Sequence, residues 1–366
     1  MLTYQLSSPL RVDLGQHSYE IHVAPDALRH AGRLIASAVG GSGFIITHPR
    51  IERLHGKTLR RGLGHLHAET ILVPAGERQK SLRRAGLLWD ELLRRKADRE
   101  SVVIAFGGGV IGDLAGFIAA TYMRGLPFVQ VPTTLLAQVD ASVGGKVAIN
   151  RPAAKNLIGA FYQPRLVIAD VSVLSTLSVR DYREGLAEVV KTALIADPAF
   201  FEWLEVNRAT VLARDAETLA FLVHRCCEIK AAVVQADERE SGPRAVLNLG
   251  HTIGHALESV TGYRALRHGE AVAIGMAAAA RVSGLLGRFS QANERRLLGL
   301  LAAFGLPIRV PGIPAAEIAG TLCTDKKAVG GVPRFVLLRD IGQIEWGQEV
   351  APEVVQKALI ELGASD

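Results

Sequence analysis

The stretch Asn248-Leu249-Gly250-His251-Thr252-Ile253-Gly254-His255-Ala256-Leu257-Glu258 sets two histidines four residues apart behind a glycine, with apolar residues at helical spacing. Residues four apart share a helix face, so one helix can offer both imidazoles to a single metal ion or substrate. A third histidine stands in Arg267-His268-Gly269-Glu270, where another helix is expected to open. Upstream, Gly185-Leu186-Ala187-Glu188-Val189-Val190-Lys191 puts a carboxylate and an ammonium three apart in an otherwise apolar helix. Such groups are costly to bury unless they are paired or metal-bound. One carboxylate with two imidazoles makes a zinc set that keeps a coordination position open. These residue types predict a divalent-metal site at Glu188, His251 and His268, although spacing alone leaves His255 as an alternative to His268. A lone histidine is most often a surface or satisfied core residue. The buried Glu–Lys pair and the flanking glycines are what favour chemistry here.

A second set of residues suits phosphate. Gly107-Gly108-Gly109-Val110-Ile111-Gly112-Asp113 follows an expected strand and opens an expected helix over 110–123, which satisfies G-x-G-x-x-G in the context that motif needs. Glycines there let backbone N–H groups approach a pyrophosphate, and the helix N-terminus favours its charge. The usual acidic residue about 20 positions later is missing. Pro74-Ala75-Gly76-Glu77-Arg78-Gln79-Lys80 follows another strand and carries a carboxylate for ribose hydroxyls, and Pro132-Thr133-Thr134 offers two hydroxyls after a third. Asp140-Ala141-Ser142-Val143-Gly144-Gly145-Lys146 and Lys155-Asn156-Leu157-Ile158-Gly159 flank a turn at Asn150-Arg151-Pro152 and read as a polar loop for an anion. Lys230, Arg244 and the pair Lys326-Lys327 add further positive charge.

Composition sets limits on the function. Hydrophobic residues at 49% and charged residues at 21% describe an ordinary globular protein with ample core. Aromatics at 5% argue against a base-stacking nucleic-acid binder, and the net charge of +6 is scattered, as a polyanionic small substrate also accommodates. The 3 cysteines, Cys226, Cys227 and Cys323, form no C-x-x-C and no even framework, which predicts a reducing compartment and a cytoplasmic protein. No apolar stretch reaches membrane-spanning length, and the start has no signal-peptide pattern.

The elements that must position these groups alternate in the first half. Strands are predicted at Gly43-Phe44-Ile45-Ile46-Thr47, at 70–74, 101–106, 127–132 and 165–170, with amphipathic helices such as 81–95 between them. From about Ser175 the pattern is mostly helical to about Phe304, followed by shorter elements that include a strand at 333–338. The expected architecture is α/β plus α: a Rossmann-like nucleotide-binding domain over 1–172, then a mostly α-helical metal- and substrate-binding domain over 173–366.

With these motifs in order, the chain resembles the 3-dehydroquinate synthase family. The resemblance runs from Gly-Glu-Arg-Gln-Lys at 76–80 through Gln-Val-Asp-Ala-Ser-Val-Gly-Gly-Lys at 138–146, Ala-Glu-Val-Val-Lys at 187–191, the histidine helix, His-Gly-Glu-Ala-Val at 268–272 and Asp-Lys-Lys at 325–327. A wider likeness links that family to glycerol-dehydrogenase-like enzymes. The resemblance implies zinc or cobalt at Glu188, His251 and His268, which resolves the alternative at His255. It implies NAD contacts from Ala75, Gly76, Glu77, Arg78, Gln79 and Lys80, from Gly109, Val110, Ile111, Gly112 and Asp113, from Thr133, Thr134, Lys146 and Lys155, and from Val173, Leu174, Ser175 and Thr176. It implies catalytic roles for Asp140, Lys146, Lys191 and His255. Substrate contacts would come from Asn156, Lys230, Arg244, Asn248 and one lysine of Lys326-Lys327. Arg124 matches a position that reaches across a homodimer interface.

The implied reaction converts 3-deoxy-D-arabino-heptulosonate 7-phosphate to 3-dehydroquinate and phosphate. NAD takes a hydride and returns it, phosphate leaves by elimination, and an intramolecular aldol step closes the ring. The chain departs from the family at His48, where an aspartate usually meets the adenosine ribose, and at Ala75, where acidic or small polar residues are frequent. Three other readings fit parts of the pattern: a cyclase of sedoheptulose 7-phosphate, a metal-dependent polyol dehydrogenase and an inactive NAD-binding scaffold. Gly144-Gly145 clears space around Lys146, so Lys146→Ala should lower kcat/KM while leaving the melting temperature in place; an unchanged kcat/KM would mark Lys146 as a surface lysine.

Overall fold

The computed structural model describes residues 8–40, 42–152, 154–262, 264–322 and 333–366. The chain divides into two compact units, residues 1–178 with 214–239 and residues 179–213 with 240–366.

Unit 1 is built on a seven-stranded sheet in the order β1-β2-β9-β6-β5-β3-β4. Its strands are β1 (Leu10–Val12), β2 (Tyr19–Ala24), β3 (Gly43–Thr47), β4 (Ala68–Leu72), β5 (Val102–Gly107), β6 (Phe128–Pro132) and β9 (Leu166–Asp170). Only the β1–β2 pairing is antiparallel; all the others are parallel. Strands β3, β5, β6 and β9 are buried along their whole length, which explains their unbroken apolar runs, since helices cover both faces of a parallel sheet. From β3 the chain steps outward to β4, returns to β5 on the other side of β3, and continues to β6 and β9. The reversal makes a topological switch point between β3 and β5, and ligands of open α/β sheets bind beyond the carboxyl ends of strands at such a point.

The helices of this unit are α1 (Ala31–Ala38), α2 (Pro49–Ile51), α3 (Lys57–Leu63), α4 (Leu82–Arg94) and α5 (Gly109–Thr121). Helix α5 is apolar nearly all round and sinks into the core, where Ile111, Leu114, Phe117 and Ile118 pack with Phe44, Val103, Leu88 and Phe128. It stops before the 123 boundary expected from sequence, because Met123 and Arg124 take positive φ.

The segment expected to be a polar loop is a hairpin, β7 (Lys146–Arg151) with β8 (Ala154–Phe161), and the predicted turn at 150–152 joins its strands. Val147 and Ile149 anchor it in the core. Strands β1 and β2 also escaped the sequence reading, β1 being only three residues long.

Unit 2 begins with α6 (Val179–Ala196), α7 (Pro198–Val206) and α8 (Arg208–Ala213). The chain then returns to unit 1 as α9 (Ala216–Ala236) before unit 2 resumes with α10 (His251–Val260), α11 (His268–Leu285), α12 (Gln291–Ala303), α13 (Ala315–Leu322), a hairpin of β10 (Phe335–Asp340) and β11 (Gln343–Gln348), and α14 (Pro352–Glu361). A single boundary after residue 172 does not describe this path. Helix α9 belongs with unit 1, where Cys227 Sγ donates to the Gln138 carbonyl at 3.2 Å. The α/β and helical characters of the two parts agree with the expectation from sequence.

Three close backbone approaches hold α6, α10 and α11 together. A Cβ on Gly275 would lie 1.9 Å from the Gly250 carbonyl, one on Gly269 2.1 Å from the Glu184 carbonyl, and one on Gly254 3.2 Å from the Ala271 carbonyl. Helices α10 and α11 meet at the first and third of these contacts, and α6 meets α11 at the second. Gly275→Ala forces apart atoms that have nowhere to go and should cost about 1–3 kcal/mol. The measurement is the melting temperature, which would stay at the parent value if α10 and α11 could separate freely.

Candidate active site and metal centre

Helix α6 is buried and mostly apolar from Gly185 to Ile195, and within that run it encloses Glu188 (0 % exposed) and Lys191 (2 % exposed) one turn apart. The Lys191 ammonium forms an ion pair with Glu188 Oε2. Gly250, at φ 77°, turns the chain into α10 and sets His251 as its first residue. Helix α11 opens with His268, and its first turn is fixed by Glu270, which accepts from the Arg267 N–H at 3.0 Å. Arg180 grips the same carboxylate with two bonds of 2.6 and 2.7 Å, tying the start of α6 to the start of α11.

These elements bring the three predicted ligands together. His251 Nε2 lies 3.7 Å and His268 Nε2 3.6 Å from Glu188 Oε1. Both separations are too long for hydrogen bonds. They approach the roughly 3.3 Å between neighbouring ligand atoms that tetrahedral zinc with bonds near 2.0–2.1 Å would impose. The ligand atoms all fall within 4.8 Å of one another. The imidazole tautomers suit a cation. His251 Nδ1 is 3.2 Å from the Leu249 carbonyl, which can only accept, so the proton sits on Nδ1 and the Nε2 lone pair faces Glu188. His268 Nδ1 donates to Glu258 Oε2 at 3.3 Å and turns its own Nε2 toward the same carboxylate.

His255 stays close, with its ring centroid 5.4 Å from that of His251 and 6.2 Å from that of His268. A second grouping of His255, Glu258 and His268 also falls within 4.8 Å, so geometry keeps His255 near any ion. Glu258 had been given no role from sequence. Its signal was spacing: residues 251, 255 and 258 lie on one face of a helix. Elsewhere in unit 2, Arg244 is buried, and Asn248 Nδ2 donates to Glu240 Oε1 at 3.0 Å. Glu240 was likewise not foreseen. Lys326 and Lys327 lie outside the described residues.

Unit 1 gathers the phosphate-loop residues at the carboxyl edge of its sheet. Gly108 caps α5, and a Cβ there would press to 3.0 Å on Thr134, so the glycine keeps the loop open. Thr47 at the end of β3 and Thr133 after β6 each bury a hydroxyl with no hydrogen-bond partner among the described residues. Lys80 is buried and donates to Asp113 Oδ2 at 2.6 Å and to Asn156 Oδ1 at 2.5 Å. Asn150, seen from sequence only as part of a turn, donates to Glu77 at 2.7 Å and accepts from the Asn156 N–H at 2.9 Å. These bonds lace the 75–80 loop, α5 and the β7–β8 hairpin into one network.

Ala75, Glu77, Arg78 and Lys146 are exposed, Gly76 is at φ 106°, and Gln79 holds Arg84 Nε at 2.8 Å. Lys155 is half-buried on the hairpin, and Val110 is half-buried beside Gly109. The side chains of Ile111, Val173 and Leu174 are buried in apolar surroundings, so these residues can meet a ligand only through their backbone. Ser175 and Thr176 lie in a 3-10 turn, where Thr176 Oγ1 is 2.8 Å from His55 Nε2. Lys230 on α9 donates to Asp140 Oδ1 at 2.7 Å and also to the Asp140 carbonyl. Arg124 is exposed at φ 70°. His48 spends its Nδ1 accepting from the Arg50 N–H at 3.2 Å.

Two family models match consecutive stretches of the chain: 3-dehydroquinate synthase N-terminal over residues 70–184 and 3-dehydroquinate synthase C-terminal over residues 185–328. The 3-dehydroquinate synthase of Pelobacter propionicus is 50% identical over 338 residues, covering 92% of this chain and 94% of the relative. The chain belongs to the 3-dehydroquinate synthase family. The 3-dehydroquinate synthase of Halorhodospira halophila is 48% identical over 350 residues, 96% of this chain and 98% of that one. A solved structure of a 2-epi-5-epi-valiolone synthase from Streptomyces hygroscopicus subsp. jinggangensis, with NAD+ and Zn2+ bound, matches with a TM-score of 0.87 at 27% identity over 98% of this chain and 99% of that chain. The family resemblance, fold class and enzyme class expected from sequence are met.

Burial works to raise the pKa of Glu188, but Lys191 and His268 outweigh it and hold the carboxyl down at about 2. Burial works to lower that of His268, but Glu188 and Glu258 prevail and hold the ring up at about 10. A histidine raised above its unfolded value of 6.5 stabilises the fold fully below that pH, and the contribution is lost as pH rises through about 10. In chelator, the stability advantage of the parent over His268→Gln should shrink across that window. Thermal melts at several pH values measure it, and a constant gap would show that His268 holds no extra proton.

Proposed function

We propose that this chain converts 3-deoxy-D-arabino-heptulosonate 7-phosphate to 3-dehydroquinate and phosphate, with NAD and a divalent metal, zinc or cobalt, as resident cofactors. The observation that carries the reading is the pair of imidazole Nε2 atoms that face one buried, ionised carboxylate at 3.7 and 3.6 Å. Glu188, His251 and His268 would hold the metal, and the orphaned hydroxyls of Thr47 and Thr133 beside the open Gly108 turn suit a dinucleotide. When bound, the metal supplies Lewis-acid polarisation of the substrate hydroxyls. NAD supplies an acceptor that takes a hydride and returns it within one turnover.

The chain's own residues do the remaining work. Lys191 keeps Glu188 ionised, so the carboxylate is ready for a cation at any physiological pH. Gly109 and the first turn of α5 present N–H groups to a pyrophosphate, and Ala75–Lys80, Thr134, Lys155 and the 173–176 turn complete the proposed NAD contacts. Asp140 fixes the Lys230 ammonium, which with Lys146, Asn156, Arg244 and Asn248 would neutralise and orient the substrate's phosphate and carboxylate. His255 sits one helical turn from His251, placed to relay a proton.

A homodimer fits the surface of unit 1. Leu157 is 59 % exposed, Ile158 42 % and Phe161 44 % along β8, an apolar strip that a partner subunit would cover, with Arg124 on the same unit. A cytoplasmic location fits the buried thiols of Cys226 and Cys227, and no helix among the described residues is long and apolar enough to cross a membrane.

A sedoheptulose 7-phosphate cyclase is the nearest other reading. It is disfavoured by the presence of Lys230, Arg244, Asn248 and His255 and by the identity to two 3-dehydroquinate synthases. Supplied with both sugar phosphates, the enzyme should turn over only the heptulosonate, without net NADH release. Turnover of sedoheptulose 7-phosphate alone would overturn the assignment, and steady growth of NADH absorbance would make the protein a dehydrogenase. His268→Ala should strip metal and activity together while NAD binding persists; undiminished metal content would reject its role as ligand.

A further inference from the structure

His268 is gripped from both sides. Its Nε2 faces Glu188 at 3.6 Å, and its Nδ1 is hydrogen-bonded to Glu258 at 3.3 Å. Glu258 is buried on α10, seven residues after His251, so one helix bears a proposed ligand near its start and this second carboxylate two turns later. The contact of Gly254 with the Ala271 carbonyl lays that helix against the first turn of α11 and brings Glu258 within reach of a ring on the neighbouring element. A carboxylate in so dry a place needs hydrogen-bonded partners, and one that it has is the imidazole edge turned away from Glu188.

We propose that Glu258 is a positioning residue for the metal centre: by accepting the Nδ1 proton of His268 it fixes the tautomer and the plane of the ring, so that the Nε2 lone pair points at the ion. The inference rests on the reading of Glu188, His251 and His268 as the metal set. His251 gets the same service from a backbone carbonyl, the Leu249 oxygen, which no side-chain change can remove. At His268, which opens its helix, a side chain does the job. The carboxylate has a second effect, since a negative charge behind the ring makes Nε2 the stronger donor. The group His255, Glu258 and His268 allows one other use of the same residue, direct ligation, and the two are separable by experiment.

The test compares Glu258→Gln, Glu258→Ala and His268→Ala. Each is loaded with Co2+ for absorption spectroscopy and titrated with Zn2+ against a chelator of known affinity. The amide oxygen of glutamine still accepts the Nδ1 proton, so Glu258→Gln should keep the parental Co2+ bands and lose at most about tenfold in zinc affinity. Glu258→Ala should lose about 10–100-fold and still show bands of the parental ligand set. A zinc affinity in Glu258→Ala equal to the parent's would overturn the proposal. So would a Co2+ spectrum matching that of His268→Ala, which would make Glu258 a ligand. Circular dichroism melts of each variant exclude a folding defect as the cause. If Glu188→Ala and His251→Ala keep full zinc affinity, the metal set itself is wrong, an outcome distinct from failure of the Glu258 role.

Discussion

A negative charge on Glu188, enclosed with no access to water, is the constraint to which the centre of unit 2 answers. Left alone, that carboxylate would take up a proton or keep the helices from closing. Lys191 holds it ionised from one side, and two imidazoles face it from the other at a distance that a hydrogen bond does not fill. Taking away one member of such a buried pair costs about 3–5 kcal/mol, because the survivor is left uncompensated. The neighbouring features follow from this charge. Glycines stand where helix backbones must come within touching distance, and the Arg180–Glu270 clamp pins the first turns of α6 and α11.

The centre of unit 1 poses a related problem with a buried cation. Lys80 is almost sealed from solvent, and Asp113 and Asn156 share its charge, while Asn150 bridges to Glu77. Lys80 therefore serves the shape of the loop as much as any ligand. Burial pushes the Asp113 carboxyl up even as Lys80 pulls it down. The hydroxyls of Thr47 and Thr133 stand at the ends of strands on either side of β5, and the Gly107–Gly109 turn lies between them in the sheet order.

Much of this was legible in the sequence, for reasons that differ by residue. The unbroken apolar runs of β3, β5, β6 and β9 betray a two-sided buried sheet. The 251/255 spacing and the Glu188–Lys191 pair betray a charged centre inside apolar helices. Other features carried no local signal. The β7–β8 hairpin was read as a loop because Gly144-Gly145, Asn150 and Pro152 are turn formers, while its anchors Val147 and Ile149 are too few to show strand alternation. Strand β1 has three residues and exists only because β2 is there to pair with it. Helix α9 looks like any other amphipathic helix, and nothing in its periodicity says with which unit it packs. Glu258 and Glu240 gain their importance from partners ten and eight residues away across turns, a relation that spacing along one helix cannot report.

The excursion of the chain into unit 2 and back has a consequence for how the protein comes into being. During synthesis the first unit cannot be completed when its last strand leaves the ribosome, because α9 has yet to be translated. Until then the backbone and carboxylate of Asp140 lack the ammonium of Lys230. The opening helices of the second unit emerge in the meantime, with Glu188 and Lys191 already made and neither His251 nor His268 yet in existence. Nascent chains of this protein must therefore carry two unfinished cores at once, and cutting the gene at the apparent border between halves would strip the first fragment of α9 and strand that helix within the second.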